Sequence, residues 1–263
     1  MQAHINGIEM NYVVEGPAAA PVVVLHHPLA TDLTFWDETA AALKGEWRVV
    51  RFDARGHGKT QATAAPYDFK TLAGDTIALL DHLGVKRAAF VGLSMGGMVA
   101  QFLGLMHTER FSCLVIASST SRIPENLRHL WSDRVKVARA EGMASQVEPC
   151  LVRWLAAGSR QRADVVARCT RLITATPVEG YGGWCGAIET LDMTDKLGGI
   201  ALPTLVVVGQ EDPATPVAAS ETIQRAIPGA GLVVIPGVSH MLAIEEPGAF
   251  VDAIRPFIGA NKP

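Results

Sequence analysis

The sequence predicts an α/β fold: a mostly parallel sheet with flanking helices and one inserted helical block. Short runs rich in Val, Ile, Leu and Ala alternate with longer segments that have the period of a helix. The alternation stops only between about residues 122 and 195, where no strand pattern is visible. The length of 263 residues suits one such domain with an insertion.

The strands come first in the pattern, and the sheet is expected to begin with an antiparallel pair. Residues 4–5 and 8–14 flank Asn6-Gly7, the strongest two-residue hairpin signal. The later runs are as short and apolar as strands that are buried on both faces. These runs are residues 21–26, 48–53, 87–93, 112–117, 202–209 and 231–235.

Helical periodicity fills the intervals between these runs. The predicted helices are residues 36–43, 72–83, 95–106, 217–226 and 249–258. The block at 122–195 contains helix-like segments interrupted by Gly142, Gly158 and Gly182-Gly183. A helical block between two strands predicts a lid over the carboxyl ends of the strands, where open α/β sheets bind ligands.

Composition excludes several classes of function. The 23 basic and 26 acidic residues give a formal net charge of −3, so we expect neither nucleic-acid nor membrane binding. The longest apolar runs, such as residues 22–25, are too short to span a bilayer, and the N-terminus lacks the pattern of a signal peptide. Four scattered cysteines without a C-x-x-C pair predict reduced thiols in a cytoplasmic protein. The sequence leaves the oligomeric state open, and a homo-oligomer is one of the alternatives.

Gly92-Leu93-Ser94-Met95-Gly96 follows a predicted strand and begins a predicted helix. G-x-S-x-G in this setting is typical of a nucleophilic serine on a sharp, strained turn, where glycine avoids collisions with the neighbouring strand and helix. The helix N-terminus also favours developing negative charge. The alternative is a glycine-rich turn with a solvated serine.

A serine hydroxyl needs an adjacent base. His240 follows the last predicted strand, which places it at the same sheet edge as Ser94. His57 also follows a strand, but its flanking glycines indicate a tight turn. The other histidines considered lie in helical segments and are expected at the surface: His82, His107 and His129.

The base needs an acid to orient it. Asp212 follows the penultimate strand, and the chain order Ser94, Asp212, His240 is an established order for such a group. Glu211 is the neighbouring rival, and Asp53 is a weaker one.

An oxyanion hole needs two backbone N–H donors, one of them from the residue after the nucleophile. That residue is Met95. The second donor is expected in the loop after residues 21–26, where Pro28 has no N–H and Leu29 is the preferred candidate.

Several stretches together resemble the 3-oxoadipate enol-lactonase branch of the α/β-hydrolases. They are residues 51–58 (RFDARGHG), 92–99 (GLSMGGMV), 209–216 (GQEDPATP), the cap stretch 179–188 and the terminal Ser239-His240. The resemblance covers nearly the whole chain.

The resemblance implies an α/β-hydrolase fold with an eight-stranded core (residues 1–121 and 196–263) and a helical cap (residues 122–195). Ser94, Asp212 and His240 match the triad position by position. The implied reaction is hydrolysis of a small enol-lactone in aromatic catabolism, without a cofactor. Many relatives have His-Gly in the first oxyanion loop, whereas this chain has His27-Pro28, which stiffens the loop.

Substrate contacts are expected from the cap. Trp131 and Arg134 resemble a Trp-x-x-Arg pair of the family, and Trp154 is a further cap aromatic. An arginine can hold a carboxylate in a bidentate fork. The alternative is that the aromatic residues belong to the core and that the arginine is solvated.

Other functions stay open at this point. The same triad serves carboxylesterases, carbon–carbon bond hydrolases and cofactor-free perhydrolases, because specificity lies in cap and loop contacts. A non-enzymatic ligand receptor on the same fold is a different class. A metal hydrolase would need His26 and His27 to share an ion, but adjacent residues of a strand point to opposite faces.

Overall fold

All 263 residues are described by the computed structural model, and its eight strands form one sheet. The strand order is β1-β2-β4-β3-β5-β6-β7-β8. The strands are β1 (Gln2–Ile5), β2 (Ile8–Glu15), β3 (Val22–His26), β4 (Arg48–Phe52), β5 (Ala88–Leu93), β6 (Phe111–Ala117), β7 (Thr204–Gly209) and β8 (Gly231–Ile235). Every strand expected from the sequence is present, and the predicted α/β architecture, a mostly parallel eight-stranded sheet with flanking helices, is confirmed.

The sheet begins with the predicted antiparallel pair. β1 pairs with β2 around Asn6 and Gly7, which both have positive φ, at 48° and 76°. A two-residue turn with positive φ at both positions matches the twist of the strands, and asparagine followed by glycine tolerates it best. β2 is also antiparallel to β4, and the pairs from β4 through β8 are all parallel. The carboxyl ends of those parallel strands therefore share one edge.

Ten α-helices accompany the sheet. They are α1 (Asp37–Leu43), α2 (Phe69–His82), α3 (Met95–Met106), α4 (His129–Glu141), α5 (Val147–Trp154), α6 (Ala163–Ala175), α7 (Val178–Glu189), α8 (Val217–Ala226), α9 (Leu242–Glu245) and α10 (Pro247–Ala260). None of them combines the length and apolar character that crossing a bilayer requires. All four cysteines are buried free thiols.

Several helix boundaries differ from the sequence prediction, most of all at the start of α2 and around the last helix. α2 begins at Phe69, three residues early, because the Asp68 carboxylate accepts a hydrogen bond from the Thr71 N–H at 2.8 Å and caps the helix. Helix α9 was not predicted, since four residues are too few to establish a period. α10 then begins at Pro247, whose fixed φ suits the first helical position.

The inserted block contains α4 to α7 and connects β6 to β7. Its two ends meet in an antiparallel bridge between Arg122 and Asp192, and the Arg122 guanidinium also pairs with Asp195 at 2.7 Å. One continuous apolar cluster extends from the sheet into this block. The division into a core (1–121 and 196–263) and a cap (122–195) stays a prediction, and we keep the name cap for residues 122–195.

The cap contacts the loop after β4 without intervening side chains. A Cβ atom on Gly180 of α7 would lie 1.7 Å from the carbonyl oxygen of Gly56. One turn later, the Trp184 indole N–H donates a hydrogen bond to the Arg55 carbonyl at 2.9 Å. Backbone thus packs on backbone here, and only glycine permits that distance.

We predict that Gly180→Ala lowers the free energy of unfolding by about 1–3 kcal/mol, because the added methyl meets rigid backbone. Gly186→Ala on the same helix is the control: its Cβ would have only Pro66, at 3.6 Å, as a neighbour. The control should be neutral or gain up to about 1 kcal/mol from helix propensity. Urea unfolding of both variants measures this, and equal stabilities would contradict the close contact.

Candidate active site

Ser94 stands on a sharp turn between β5 and α3. Its backbone has φ 56° and ψ −111°, a conformation that non-glycine residues rarely adopt. A Cβ at Gly92 would lie 2.1 Å from the carbonyl oxygen of Gly96, and one at Gly96 would lie 2.3 Å from that of His26. Only glycine at both positions allows a turn that is tight enough to present the serine at the sheet edge.

Neighbouring β6 and the residues after it fasten this turn. The Ser94 N–H donates to the Ala117 carbonyl at 2.8 Å, and the Ser119 hydroxyl donates to the Ser94 carbonyl at 2.9 Å. Ser119 was missed from the sequence. These bonds offset part of the strain at Ser94.

His240 lies in the loop after β8, as the sequence predicted, and it joins the other two candidate residues. Its Nε2 is 3.0 Å from the Ser94 Oγ, and its Nδ1 is 2.8 Å from Asp212 Oδ2. If the serine hydroxyl donates to Nε2, the ring proton is on Nδ1 and is donated to the carboxylate. This geometry permits the imidazole to accept a proton from the hydroxyl while the carboxylate fixes its tautomer.

Asp212 is buried among donors. Besides His240, it accepts hydrogen bonds from the N–H groups of Ala214 and Thr215 and from the Thr215 hydroxyl, all at 2.8–2.9 Å. Burial alone raises the pKa of Asp212, but the charge of His240 and the hydrogen bonds from His240 and Thr215 outweigh it, so the net pKa is lowered. Thr215 was missed, although an aspartate that caps N–H groups two and three residues onward is a known turn pattern.

The rivals for the acid role lie elsewhere. The side chain of Glu211 is exposed. Asp53 is buried, but it serves the backbone: its carboxylate accepts from the N–H groups of Leu33 at 2.7 Å and Lys59 at 2.8 Å. Neither residue bonds to His240.

His57, the rival base, is a fully buried ring that holds two loops together. Its Nε2 accepts a hydrogen bond from the Ala30 N–H at 3.1 Å, and Nδ1 is 3.3 Å from the Arg55 carbonyl. Burial, followed by the charge of His27, lowers the pKa of His57 well below its usual value. A neutral ring can accept from Ala30, which is the neighbour of Leu29 in the oxyanion loop.

The histidines considered for a metal site are occupied by the backbone. His27 accepts from the Ala54 N–H through Nε2 at 2.9 Å, and its Nδ1 is 2.8 Å from the Pro28 carbonyl. The ring of His26 lies 5.7 Å from that of His27, centroid to centroid. No group of three or more His, Cys, Asp or Glu side chains has the arrangement of a metal site.

One oxyanion candidate follows the serine in the sequence, and the other lines the cavity that opens over it. Met95 is the first residue of α3, where a helix offers its N–H no carbonyl partner. Leu29 lines the same cavity as Ser94, and its N–H is not among the backbone hydrogen bonds of the loops. Both N–H groups are thus available, and their role stays a prediction.

A cavity of about 230 Å³ opens over Ser94 and His240, between the sheet edge and the cap. All three substrate-contact candidates, Trp131, Arg134 and Trp154, line it. The other cap residues in its wall include Ile123, Leu127, Cys150, Arg153, Tyr181 and Ile188. Arg153 was missed, since an arginine on an amphipathic helix is usually solvated.

Two guanidinium groups in this wall have no acidic partner. Arg134 lies 4.6 Å above the Trp131 ring, and neither Arg134 nor Arg153 forms a salt bridge. No aspartate or glutamate is among the lining residues. Burial, followed by the charge of Arg153, lowers the pKa of Arg134 from its usual value. The cavity wall therefore carries uncompensated positive charge.

This fold and geometry define a class that comparison with known proteins identifies directly. Residues 21–247 match the family model described as the alpha/beta hydrolase fold. The chain therefore belongs to the α/β-hydrolase family, as the sequence predicted.

Within that family the chain is similar to enol-lactonases and esterases. It is 32% identical to 3-oxoadipate enol-lactonase 1 of Acinetobacter baylyi, over 96% of this chain and 94% of that protein. The enol-lactonase structure from Burkholderia xenovorans is 35% identical, with a TM-score of 0.95 over 98% of this chain and 100% of that chain. The malate-bound esterase from Thermogutta terrifontis is 28% identical, with a TM-score of 0.94 over both full chains. The predicted enol-lactonase-like branch is confirmed, and the chain is a carboxylic-ester hydrolase by family.

We predict that Thr215→Val lowers the free energy of unfolding by about 2 kcal/mol at pH 7, because Asp212 loses a hydrogen bond to its charged form. The folded-state pKa of Asp212 is depressed below its usual 3.8, so this stabilisation is complete above that pH and is lost as pH falls through the folded-state pKa. The difference in the free energy of unfolding between Thr215→Val and wild type should be equal at pH 7 and pH 5 and smaller below pH 3.8.

Urea unfolding over this pH range measures the effect. Thr222→Val is the control, since the Thr222 hydroxyl bonds only to the Ala218 carbonyl. A difference that grows on acidification would contradict the assignment of the bond to ionised Asp212.

Proposed function

We propose that the chain hydrolyses a small carboxylic ester or lactone through an acyl-enzyme on Ser94. The observation that carries this proposal is the continuous hydrogen-bond line from the Ser94 Oγ through the His240 ring to Asp212. The serine end of this line faces a cavity of small-molecule size. A base within 3.0 Å of an otherwise unreactive hydroxyl is the arrangement that nucleophilic catalysis by serine requires.

Acylation begins when His240 Nε2 takes the hydroxyl proton as Ser94 Oγ attacks the carbonyl carbon. The Met95 and Leu29 N–H groups hold the resulting oxyanion. Asp212 stays ionised, since its pKa is lowered, and its charge stabilises the imidazolium that forms.

The tetrahedral intermediate collapses when His240 returns the proton to the leaving oxygen. In a lactone this oxygen belongs to the same molecule, so ring opening leaves a single acyl chain on Ser94. A water molecule that is deprotonated by His240 then attacks the acyl carbon; His240 returns the proton to Ser94 Oγ as the bond from Oγ to that carbon breaks, and the acid departs. Every proton transfer in the cycle passes through one imidazole.

The substrate that fits best is an acid that carries the scissile ester or lactone. Arg134 and Arg153 supply two positive groups without acidic partners, and a substrate carboxylate would pair with them in a desolvated wall. 3-Oxoadipate enol-lactone has such a carboxylate, and the enol-lactonase relatives support it as the substrate of this chain. Trp131 supports Arg134 through cation–π contact.

A carboxylesterase that acts on acidic esters is the second candidate. The structural similarity to a malate-bound esterase supports it, because malate is a small dicarboxylate. Both candidates use the same triad and the same anion contacts, so a panel of lactones and open-chain esters separates them.

We predict that Ser94→Ala lowers kcat by at least about 10⁴-fold, since no acyl-enzyme can form. Turnover of the enol-lactone and of p-nitrophenyl acetate measures the loss, and a fluorophosphonate probe should label wild type but not the variant. An unchanged melting temperature establishes that the variant is folded. Wild-type-like cleavage of p-nitrophenyl acetate by folded Ser94→Ala would overturn the proposal.

We predict that Arg134→Met and Arg153→Met each lower kcat/KM for the enol-lactone acid by about 10–100-fold, the value of a charged hydrogen bond. When the free carboxylate of this substrate is converted to its methyl ester, kcat/KM should change little between wild type and variant, because the group then has no charge to pair. Arg139→Met is the control: this arginine is on the same helix as Arg134, is exposed and pairs with Glu179. Equal losses on the acid and on its methyl ester would contradict anion recognition.

A further inference from the structure

Glu245 is a fully buried carboxylate close to the base, and the mechanism above does not use it. It ends helix α9, five residues after His240, and its relative exposure is 0%. No lysine, arginine or histidine forms a salt bridge with it; the nearby Arg162 guanidinium instead donates to the Glu245 backbone carbonyl at 2.8 Å. An ionised group in such a place is costly unless hydrogen bonds compensate it.

The compensating donors include the side chain of Ser159 in the cap and backbone N–H groups from two different parts of the fold. Oε1 accepts from the Ser239 N–H at 2.9 Å, and Oε2 accepts from the Ala156 N–H at 2.8 Å. Ser239 immediately precedes the base His240, whereas Ala156 belongs to the cap. The Glu245 carboxylate therefore connects the loop that carries His240 to the cap.

A second set of bonds joins the same two segments. The N–H groups of His240 and Met241 both donate to the Trp154 carbonyl, at 3.0 Å and 3.2 Å. The Trp154 side chain lines the active-site cavity. The loop that carries the base is thus attached to the cap at Ser239, His240 and Met241, and the Glu245 side chain makes the first of these attachments.

We propose that Glu245 is a positioning residue of the hydrolase reaction, which fixes the His240 loop against the cap so that the imidazole reaches both Ser94 Oγ and the leaving oxygen. This inference rests on the proposed function of His240 as base and acid. The carboxylate suits the task because it only accepts hydrogen bonds, and it can accept at both oxygens at once. A carboxamide cannot, since one of its two ends is a donor and would face a backbone N–H.

The consequence for chemistry depends on the leaving group. An alkoxide leaves only when His240 protonates it, whereas p-nitrophenolate leaves without that help. A displaced imidazole therefore impairs the cleavage of an alkyl ester more than that of a p-nitrophenyl ester of the same acid. A residue that contributes only to folding changes the amount of folded enzyme and leaves this ratio unaltered.

The test compares Glu245→Gln with wild type on the ethyl and p-nitrophenyl esters of one acid, with rates expressed per active site after fluorophosphonate titration. We expect kcat/KM for the ethyl ester to fall by about tenfold or more, and the loss on the p-nitrophenyl ester to be at least about threefold smaller. Glu246→Gln is the matched control, since Glu246 is the next residue, is exposed and makes no hydrogen bond to the His240 loop; its one ion pair, with Arg162 of the cap, is long at 3.7 Å. It should behave as wild type.

Wild-type rates per active site in Glu245→Gln, or equal losses on the two esters, would overturn the inference. Should Glu245→Gln fail to fold, Glu245→Asp carries the same comparison, because it keeps the charge and withdraws the oxygens by one methylene. Ser94→Ala is run beside them: activity in that variant would refute the proposed function itself. An inactive Ser94→Ala together with a wild-type-like Glu245→Gln would refute only the role of Glu245.

Discussion

Direct backbone contact at the carboxyl edge of the sheet is the constraint on which the site depends. At Gly92 and Gly96 the strand, the turn and helix α3 approach so closely that a Cβ would lie within 2.3 Å of a carbonyl oxygen. At Gly209 the loops of Asp212 and His240 meet in the same manner, with a Cβ 2.2 Å from the Ser239 carbonyl. Backbone cannot rotate out of the way as a side chain can. These glycines therefore permit the approach of three distant loops, and hydrogen bonds between the loops then fix the distances.

The buried carboxylates differ in what compensates their charge, and this difference indicates what each can do. Asp75 is paired in a bidentate fork with Arg55, at 2.6 and 2.9 Å, which is a stable structural arrangement. Asp212 is bonded to the ring of His240, and in the proposed reaction its charge stabilises that ring. Glu245 accepts mainly from backbone N–H groups, and in our proposal it holds the segments that supply them. By these proposals the same functional group serves packing, proton transfer and positioning, according to its donors.

The sequence predicted most of the core because its signals are local. Strands buried on both faces appear as short apolar runs, Asn6-Gly7 defines its own turn, and G-x-S-x-G carries its glycines within five residues. The order of Asp212 and His240 after Ser94 then sufficed to select, among eight histidines and several acids, the two side chains that the structure brings to Ser94.

What escaped prediction depends on contacts between distant parts of the chain. Nothing near Arg153 indicates that its guanidinium faces a cavity instead of solvent, because the wall opposite is formed by residues of the core loops. Glu245 is adjacent in sequence to the exposed Glu246, and only the fold places one of them among backbone donors. The surroundings of charged residues on short or amphipathic helices are therefore the feature that the sequence predicts least well.

The cap has two effects that the fold does not allow to be separated. Its helices supply the aromatic rings and the guanidinium groups of the cavity wall, and its segment 154–156 supplies the carbonyl and the N–H that are bonded to the His240 loop and to Glu245. A change in the wall that moves this segment also moves the attachment of the base. In the proposed reaction, specificity and proton transfer are consequently coupled through about three residues of backbone. The cap is accordingly part of the support of His240, the proposed base, as well as a wall of the cavity.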